Sequence, residues 1–350
     1  MNSFFAPRRT EDGTAVKRTK PLQGRVPWVE KYRPRTVDDL VFQNEVVAVL
    51  KKVLDGADLP NLLFYGPPGT GKTSAAVAMC RQMFKTTELY KDRVLEMNAS
   101  DERGIQIVRT KIKEFAQRAV APTALGGKCA ALKIVILDEA DAMTHAAQAA
   151  MRRTMEKYSK TTRFFLICNY ISRIIDPLTS RCAKFRFKAL PAKDQLERLQ
   201  FICRQEDVQM AEDSLNFLIE LCEGDLRKSI TYVQSLAYSK SGVDPNFIRN
   251  MTGRIDDEVV NDLLAACRSL DPDMVIAAVE QVRRQGHSAR QFLMQFYEPL
   301  MQHEELSDFQ KAIIFEKIAV CESRLLDGAD EFPQLLDLTF CILEQFKEAN

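Results

Sequence analysis

Gly66-Pro67-Pro68-Gly69-Thr70-Gly71-Lys72-Thr73 is the stretch on which the reading of this chain turns. It fits G-x-x-x-x-G-K-[ST], and its flanks are those the pattern needs: Leu62–Tyr65 is an apolar strand before it and Ser74–Phe84 a helix after it. The glycines let successive backbone N–H groups turn inward around a phosphate, and the following helix aims its N-terminus at the same anion. Lys72 is expected to reach the β- and γ-phosphates, and the Thr73 hydroxyl to ligate Mg²⁺. Strand, phosphate loop and helix together predict an α/β nucleotide-binding domain.

Outward from this loop the α/β pattern runs over 27–190. Short runs at Asn61–Tyr65, Val94–Asn98, Lys133–Asp138, Arg163–Cys168 and Phe185–Phe187 read as strands, most of them continuous apolar runs, as expected for a parallel sheet buried on both faces. Helical periodicity fills the gaps at Lys72–Phe84, Ile105–Arg118 and His145–Lys157, which predicts a doubly wound parallel sheet. At Leu190-Pro191 the strand signal stops. Short helical segments broken by glycine and proline occupy 191–253, and longer amphipathic ones occupy 254–350. The expected organisation is therefore a basic tail over 1–26, an α/β domain over 27–190, a small helical domain over 191–253 and an all-helical domain over 254–350.

Four further motifs carry chemistry. Ile134-Val135-Ile136-Leu137-Asp138-Glu139-Ala140-Asp141 is a buried strand ending in acids at the edge where α/β sheets bind ligands. There Asp138 is placed to complete a Mg²⁺ shell and Glu139 to polarise an attacking water. Asn169, at the end of the Arg163–Cys168 strand, is either a plain turn residue or an amide that orients water against a γ-phosphate. Arg181, in Ser180-Arg181-Cys182, is either a surface arginine or a cation supplied from outside the pocket, a contribution worth roughly 10³–10⁵ in rate in phosphoryl transfer. Arg227, in Gly224-Asp225-Leu226-Arg227-Lys228, is either a solvated helix residue or one that closes over the nucleotide.

Composition excludes several classes. The 350 residues are 46% hydrophobic and 28% charged, enough apolar material for more than one core and too much for a disordered or low-complexity chain. The longest apolar runs, Phe164–Cys168 and Ile134–Leu137, fall far short of the about 20 residues a membrane helix needs. Nine scattered cysteines without a C-x-x-C pair, and only three histidines, speak for a reducing compartment and against a zinc site. No apolar signal core is found in the first 24 residues. The net charge of +1 argues against a wholly basic nucleic-acid binder, but a sum over the chain hides local stripes. The tail holds six basic and two acidic residues.

The five motifs come in the order of the AAA+ ATPases. Pro27-Trp28-Val29-Glu30-Lys31-Tyr32-Arg33-Pro34, Asn98-Ala99-Ser100-Asp101-Glu102-Arg103-Gly104-Ile105, Ala150-Met151-Arg152-Arg153-Thr154-Met155-Glu156 and Ser180-Arg181-Cys182 resemble boxes of the replication factor C small subunits, over roughly residues 27–350. The resemblance implies an ATPase of the heteropentameric eukaryotic loader that opens a sliding clamp of the proliferating cell nuclear antigen type. It would place that clamp on primer–template DNA, in the nucleus, for replication and repair. It also implies an AAA+ P-loop module, a helical lid and an all-α collar, with ATP and Mg²⁺ bound between subunits.

Residue by residue, the resemblance makes Lys72, Thr73 and Asp138 the phosphate and Mg²⁺ positions. Glu139 becomes the catalytic carboxylate, Asn169 sensor 1, Arg227 sensor 2 and Arg181 a finger acting in trans. Val29, Val41, Arg33 and Tyr65 join the Gly66–Thr73 loop in the nucleotide set. Arg103, Arg109 and Lys113 are expected on the phosphate backbone of DNA, with the clamp contact at the far end of that helix and in the Ala119–Lys128 loop. Arg152 and Arg153 are expected at the subunit interface. Two other readings stay open: a scaffold subunit that binds ATP without needing to hydrolyse it, and a branch-migration helicase of the same superfamily, which would carry a strand hairpin near the C-terminus.

Overall fold

A computed structural model describes residues 26–40, 43–100, 105–118, 132–238 and 245–349. Five strands, β1 (Leu62–Tyr65), β2 (Val94–Asn98), β3 (Lys133–Asp138), β4 (Thr162–Cys168) and β5 (Ala183–Arg186), form one parallel sheet in the order β2-β3-β4-β1-β5. β1 therefore lies beside β4, and β4 beside β3. The register pairs Tyr65 with Cys168, Leu137 with Leu166 and Asn98 with Asp138, so the carboxyl ends of these strands finish level with one another.

Helices cover both faces of the sheet. α1 (Trp28–Lys31) and α2 (Asn44–Leu54) precede β1, and α3 (Lys72–Phe84) and α4 (Thr87–Arg93) lead into β2. α5 (Ile105–Gln117), α6 (His145–Lys157) and α7 (Asp176–Thr179) make the remaining connections. One face packs Phe64, Phe165, Ile134, Ile136 and Phe187 against α2 and α3; the other packs Leu63, Val135, Leu137, Phe164 and Leu166 against α5, α6 and α7. Phe64 is central to the first, with the Phe187 ring 5.2 Å and the Phe185 ring 5.8 Å away. Burying each such ring stabilises the domain by about 1.5–3 kcal/mol.

The Phe185–Phe187 strand read from the sequence is displaced: β5 spans Ala183–Arg186, and Phe187 only continues its bonding by donating N–H to the Tyr65 carbonyl at 2.8 Å. Alternation explains this edge strand. Ala183, Phe185 and Phe187 turn to the core while Lys184, Arg186 and Lys188 stay exposed, and charged side chains on a free edge discourage pairing with another chain.

Beyond β5 the described residues form helices only. α8 (Ala192–Gln205), α9 (Glu212–Leu221), α10 (Leu226–Leu236) and α11 (Pro245–Thr252) enclose a core of Leu199, Leu215, Leu218 and Val233. α12 (Asp257–Arg268), α13 (Pro272–Arg284), α14 (Ala289–Gln302), α15 (Asp308–Leu326) and α16 (Glu331–Ala349) enclose another, with Phe292, Phe296, Leu338 and Phe346 at its centre. No strand hairpin occurs there among the described residues. One assignment differs from the sequence reading. Trp28, Val29 and Tyr32 pack into the α8–α11 core, not into the sheet domain where chain order places them.

Val41, Arg103, the Ala119–Lys128 loop and most of the tail lie outside the described residues, as does the side chain of Arg109 on α5. Lys113 is exposed on α5. The end of that helix is fixed from the sheet: the Lys133 ammonium, at the start of β3, donates to the carbonyls of Phe115, at 2.7 Å, and Arg118.

Candidate nucleotide site

The loop after β1 owes its shape to backbone that only glycine adopts freely. Gly66, Gly69 and Gly71 have φ of 143°, 70° and 90°. A Cβ on Gly66 would overlap the Phe187 carbonyl, and one on Gly69 would overlap the Asp225 carboxylate. That carboxylate is itself the N-cap of α10, accepting the N–H groups of Arg227 at 3.0 Å and Lys228 at 3.2 Å. The phosphate loop and the lid thus meet at Gly69. Gly69→Ala is expected to destabilise the chain by about 1–3 kcal/mol, because it forces an L side chain into left-handed backbone against a buried acid; urea unfolding checks it, together with weaker ATP binding.

Lys72 opens α3 and is 7% exposed. Its ammonium donates to the carbonyls of Gly66 at 2.8 Å and Pro67 at 2.7 Å, which hold the charge inside the loop. Burial lowers its pKa from the ordinary lysine value, and nearby Asp138 pulls the other way. The Thr73 hydroxyl donates to Asp138 Oδ2 at 2.8 Å, joining the first turn of α3 to the end of β3. A hydroxyl and a carboxylate in contact at a phosphate loop are the hard oxygen donors that suit Mg²⁺.

Beyond Asp138 the chain turns sharply. Glu139 takes φ 52°, unusual for a residue with a side chain, and its N–H donates to Asp138 Oδ1 at 2.9 Å. Two residues on, Asp141 Oδ2 accepts the N–H groups of Asn169 and Tyr170, each at 3.1 Å. The acid-rich turn after β3 therefore fixes the end of β4, where Asn169 stands. Spacing alone does not single out Asp141, which reads in the sequence as one more acid of the turn. Cys168, beside it, has a thiol pushed up to about 12 by burial, so it stays protonated and non-nucleophilic at neutral pH.

One cleft between the sheet edge and the α8–α11 unit gathers most of the expected residues: Val29, Arg33, Pro68, Gly69, Thr70, Gly71, Lys72, Thr73, Asp138, Glu139, Asn169 and Arg227 all line it. Tyr65, Gly66 and Pro67 do not. The Tyr65 side chain packs toward the core on the α5–α7 face, while Gly66 and Pro67 contribute carbonyls to Lys72. Leu40, Leu190, Leu226 and Ile230 add an apolar wall, and Arg198 enters from α8, donating Nη2 to the Tyr32 carbonyl at 2.8 Å. These contributions come from distant parts of the chain and carry no local motif. A phosphate loop that a Cβ would fill, a paired hydroxyl and carboxylate, and an apolar wall in the same cleft fit a nucleotide with its metal ion.

Arg181 lies elsewhere. It does not line its own chain's cleft, is 39% exposed, and donates Nη1 to the Pro177 carbonyl at 2.7 Å while Nη2 meets Glu156 Oε1 at 2.7 Å. Arg152 approaches the same carboxylate at 3.9 Å.

Sheet order, phosphate loop and cleft define a P-loop ATPase of the AAA+ class, and comparison with known proteins agrees. Residues 62–190 match the family described as "ATPase family associated with various cellular activities (AAA)", 197–238 the "RCF1/5-like, AAA+ ATPase lid domain" and 255–341 the "Replication factor C C-terminal domain". Human replication factor C subunit 4 is 53% identical over 95% of this chain and 91% of its own length. Replication factor C subunit 2 of Oryza sativa subsp. japonica is 50% identical over 89% and 92%. The replication factor C small subunit of Archaeoglobus fulgidus is 43% identical over 88% and 94%. A solved point mutant of Thermotoga maritima RuvB shares the fold at TM-score 0.50 and 14% identity, over 67% of this chain and 78% of that one. The chain belongs to the replication factor C family of clamp-loader ATPase subunits. No helix among the described residues is long and apolar enough to cross a membrane.

Proposed function

We propose that this chain works as one ATPase of a heteropentameric ring that opens a sliding clamp and sets it on primer–template DNA in the nucleus. The observation that carries the reading is the division between the cleft and Arg181. Lys72, Thr73, Asp138, Glu139, Asn169 and Arg227 converge on one cleft, while Arg181 is exposed and outside it. In this reading Lys72 and the loop N–H groups hold the phosphates of ATP, and Thr73 and Asp138 hold Mg²⁺, which neutralises phosphate charge when bound. Glu139 takes up the proton of the attacking water, Asn169 orients that water, and Arg227 closes from the lid. Arg181 serves the cleft of the neighbouring subunit. Val29, with Leu40 and Leu226, offers an apolar wall to the base.

The DNA contact proposed for Arg103, Arg109 and Lys113 rests on the family boxes and on the exposure of Lys113 on α5. Contacts of this kind go to phosphate and carry no base information, which suits a loader that acts at any primer end. They should weaken steeply with salt. The clamp contact remains proposed for the far end of α5 and the loop beyond it.

The experiment is co-expression with the other small subunits and the large subunit of the same organism, followed by native mass measurement. A stoichiometric five-chain complex containing one copy of this chain is expected. A chain that stays monomeric removes the proposal.

A further inference from the structure

The segment Trp28–Arg33 precedes the sheet in sequence but is held by the lid. Trp28, the only tryptophan in the chain, is 9% exposed in the α8–α11 core, and its backbone N–H donates to Gln234 Oε1 at 2.9 Å. Glu206, the residue that closes α8, accepts the Tyr32 hydroxyl at 2.6 Å and the Lys31 ammonium at 2.5 Å on one oxygen. The other side of the segment faces the nucleotide cleft. Val29, Tyr32 and Arg33 line it, and Arg33 Nε donates to the Ser74 hydroxyl, in the first turn of α3, at 3.3 Å.

A helix of four residues has no stability of its own, so attachments fix its position. Those attachments are mostly to the lid. Glu206 is 17% exposed but its Lys31 partner is 50% exposed, so the pair contributes little to stability and acts by fixing where the segment lies. Without it, the Lys31 and Tyr32 side chains lose their shared anchor.

We infer that Trp28–Arg33 is a strap carried by the lid and that Glu206 is the positioning residue that latches it. The latch sets one wall of the cleft, so the lid tunes nucleotide affinity through Glu206, which lines no part of the cleft itself. This inference rests on the reading of the cleft as the ATP site.

Trp28 supplies the probe. In the full-length chain, titration with ATP and Mg²⁺ is expected to give a saturable change in tryptophan emission. Glu206→Ala is expected to raise the ATP dissociation constant about tenfold, a coupling in the range usual between linked sites, with the thermal midpoint of the nucleotide-free protein unchanged. Exchanging the charges, Lys31→Glu together with Glu206→Lys, should recover most of the affinity that each single change loses. Unchanged affinity in Glu206→Ala overturns the latch. So does weakened affinity with a lowered midpoint and no recovery on charge exchange, or ATP binding seen by calorimetry with no change at Trp28. A separate arm with Lys72→Ala tests the site: ATP binding that survives there overturns the nucleotide reading and the strap with it. Loss there with normal binding in Glu206→Ala overturns the strap alone.

Discussion

In the assembled complex, Arg181→Ala lowers ATP turnover in the cleft that Arg181 faces by about 10³-fold or more, while the slow turnover of the isolated chain is unchanged. The geometry behind the expectation is simple. Charge that develops on a transferring phosphoryl group is well met by a cation from outside the pocket, and Arg181 lies outside this chain's own cleft. Its guanidinium is already oriented, with one nitrogen on the Pro177 carbonyl and another on Glu156. An exposed ion pair of this kind contributes little to stability, so the alanine variant should fold and assemble normally. Steady-state ATPase of the complex beside that of the single chain is the measurement. An equal loss in both would place Arg181 in cis.

Glu139→Gln is expected to cut hydrolysis by about 10²–10⁴-fold, the span usual for a lost general base, with ATP affinity retained. The carboxylate stands on left-handed backbone at the end of β3, one residue beyond the Asp138 that Thr73 contacts. The Glu139 N–H bond to Asp138 Oδ1, at 2.9 Å, ties the turn to the end of β3. Glutamine keeps the size and removes the proton acceptor, so binding and chemistry separate. Clamp loading by a complex carrying this variant also decides whether hydrolysis by this subunit is needed. Unaltered loading would favour a scaffold that only binds ATP.

How much of this was legible in the sequence depends on the range of the contacts involved. β2, β3, α3 and α6 stand at the bounds read from the sequence, and for β3, a continuous apolar run, and α6, a capped helix, the signal is plainly local. Thr144, for example, caps α6 through the Ala147 N–H. The order β2-β3-β4-β1-β5 was not legible, since nothing in a strand states its neighbour; only the α/β alternation was. In the site, the phosphate loop and the acids after β3 announce themselves by spacing. Arg198, Asp141 and the Asp225 carboxylate beneath Gly69 do not. Each acts through a contact with a residue remote in sequence, and an arginine or aspartate in a helical or acidic stretch reads as ordinary surface. β5 was displaced for a related reason: its end is set by pairing with β1, not by its own phenylalanines.

The placement of Trp28 has a consequence for how the chain is made. Synthesis from the N-terminus delivers this tryptophan long before Gln234, its partner 206 residues later. At about 5–20 residues per second, the delay is on the order of 10–40 s. The last strand of the sheet ends at Arg186, so for only the last part of that delay, on the order of 2–10 s, is the sheet complete while Trp28 still lacks this partner. The α8–α11 unit is discontinuous in sequence, so the contacts that hold Trp28 in it are long-range ones, which cost more loop closure than local contacts. The core around Trp28 is therefore complete only once α10 and α11 have been synthesised, after every strand of the sheet has been made.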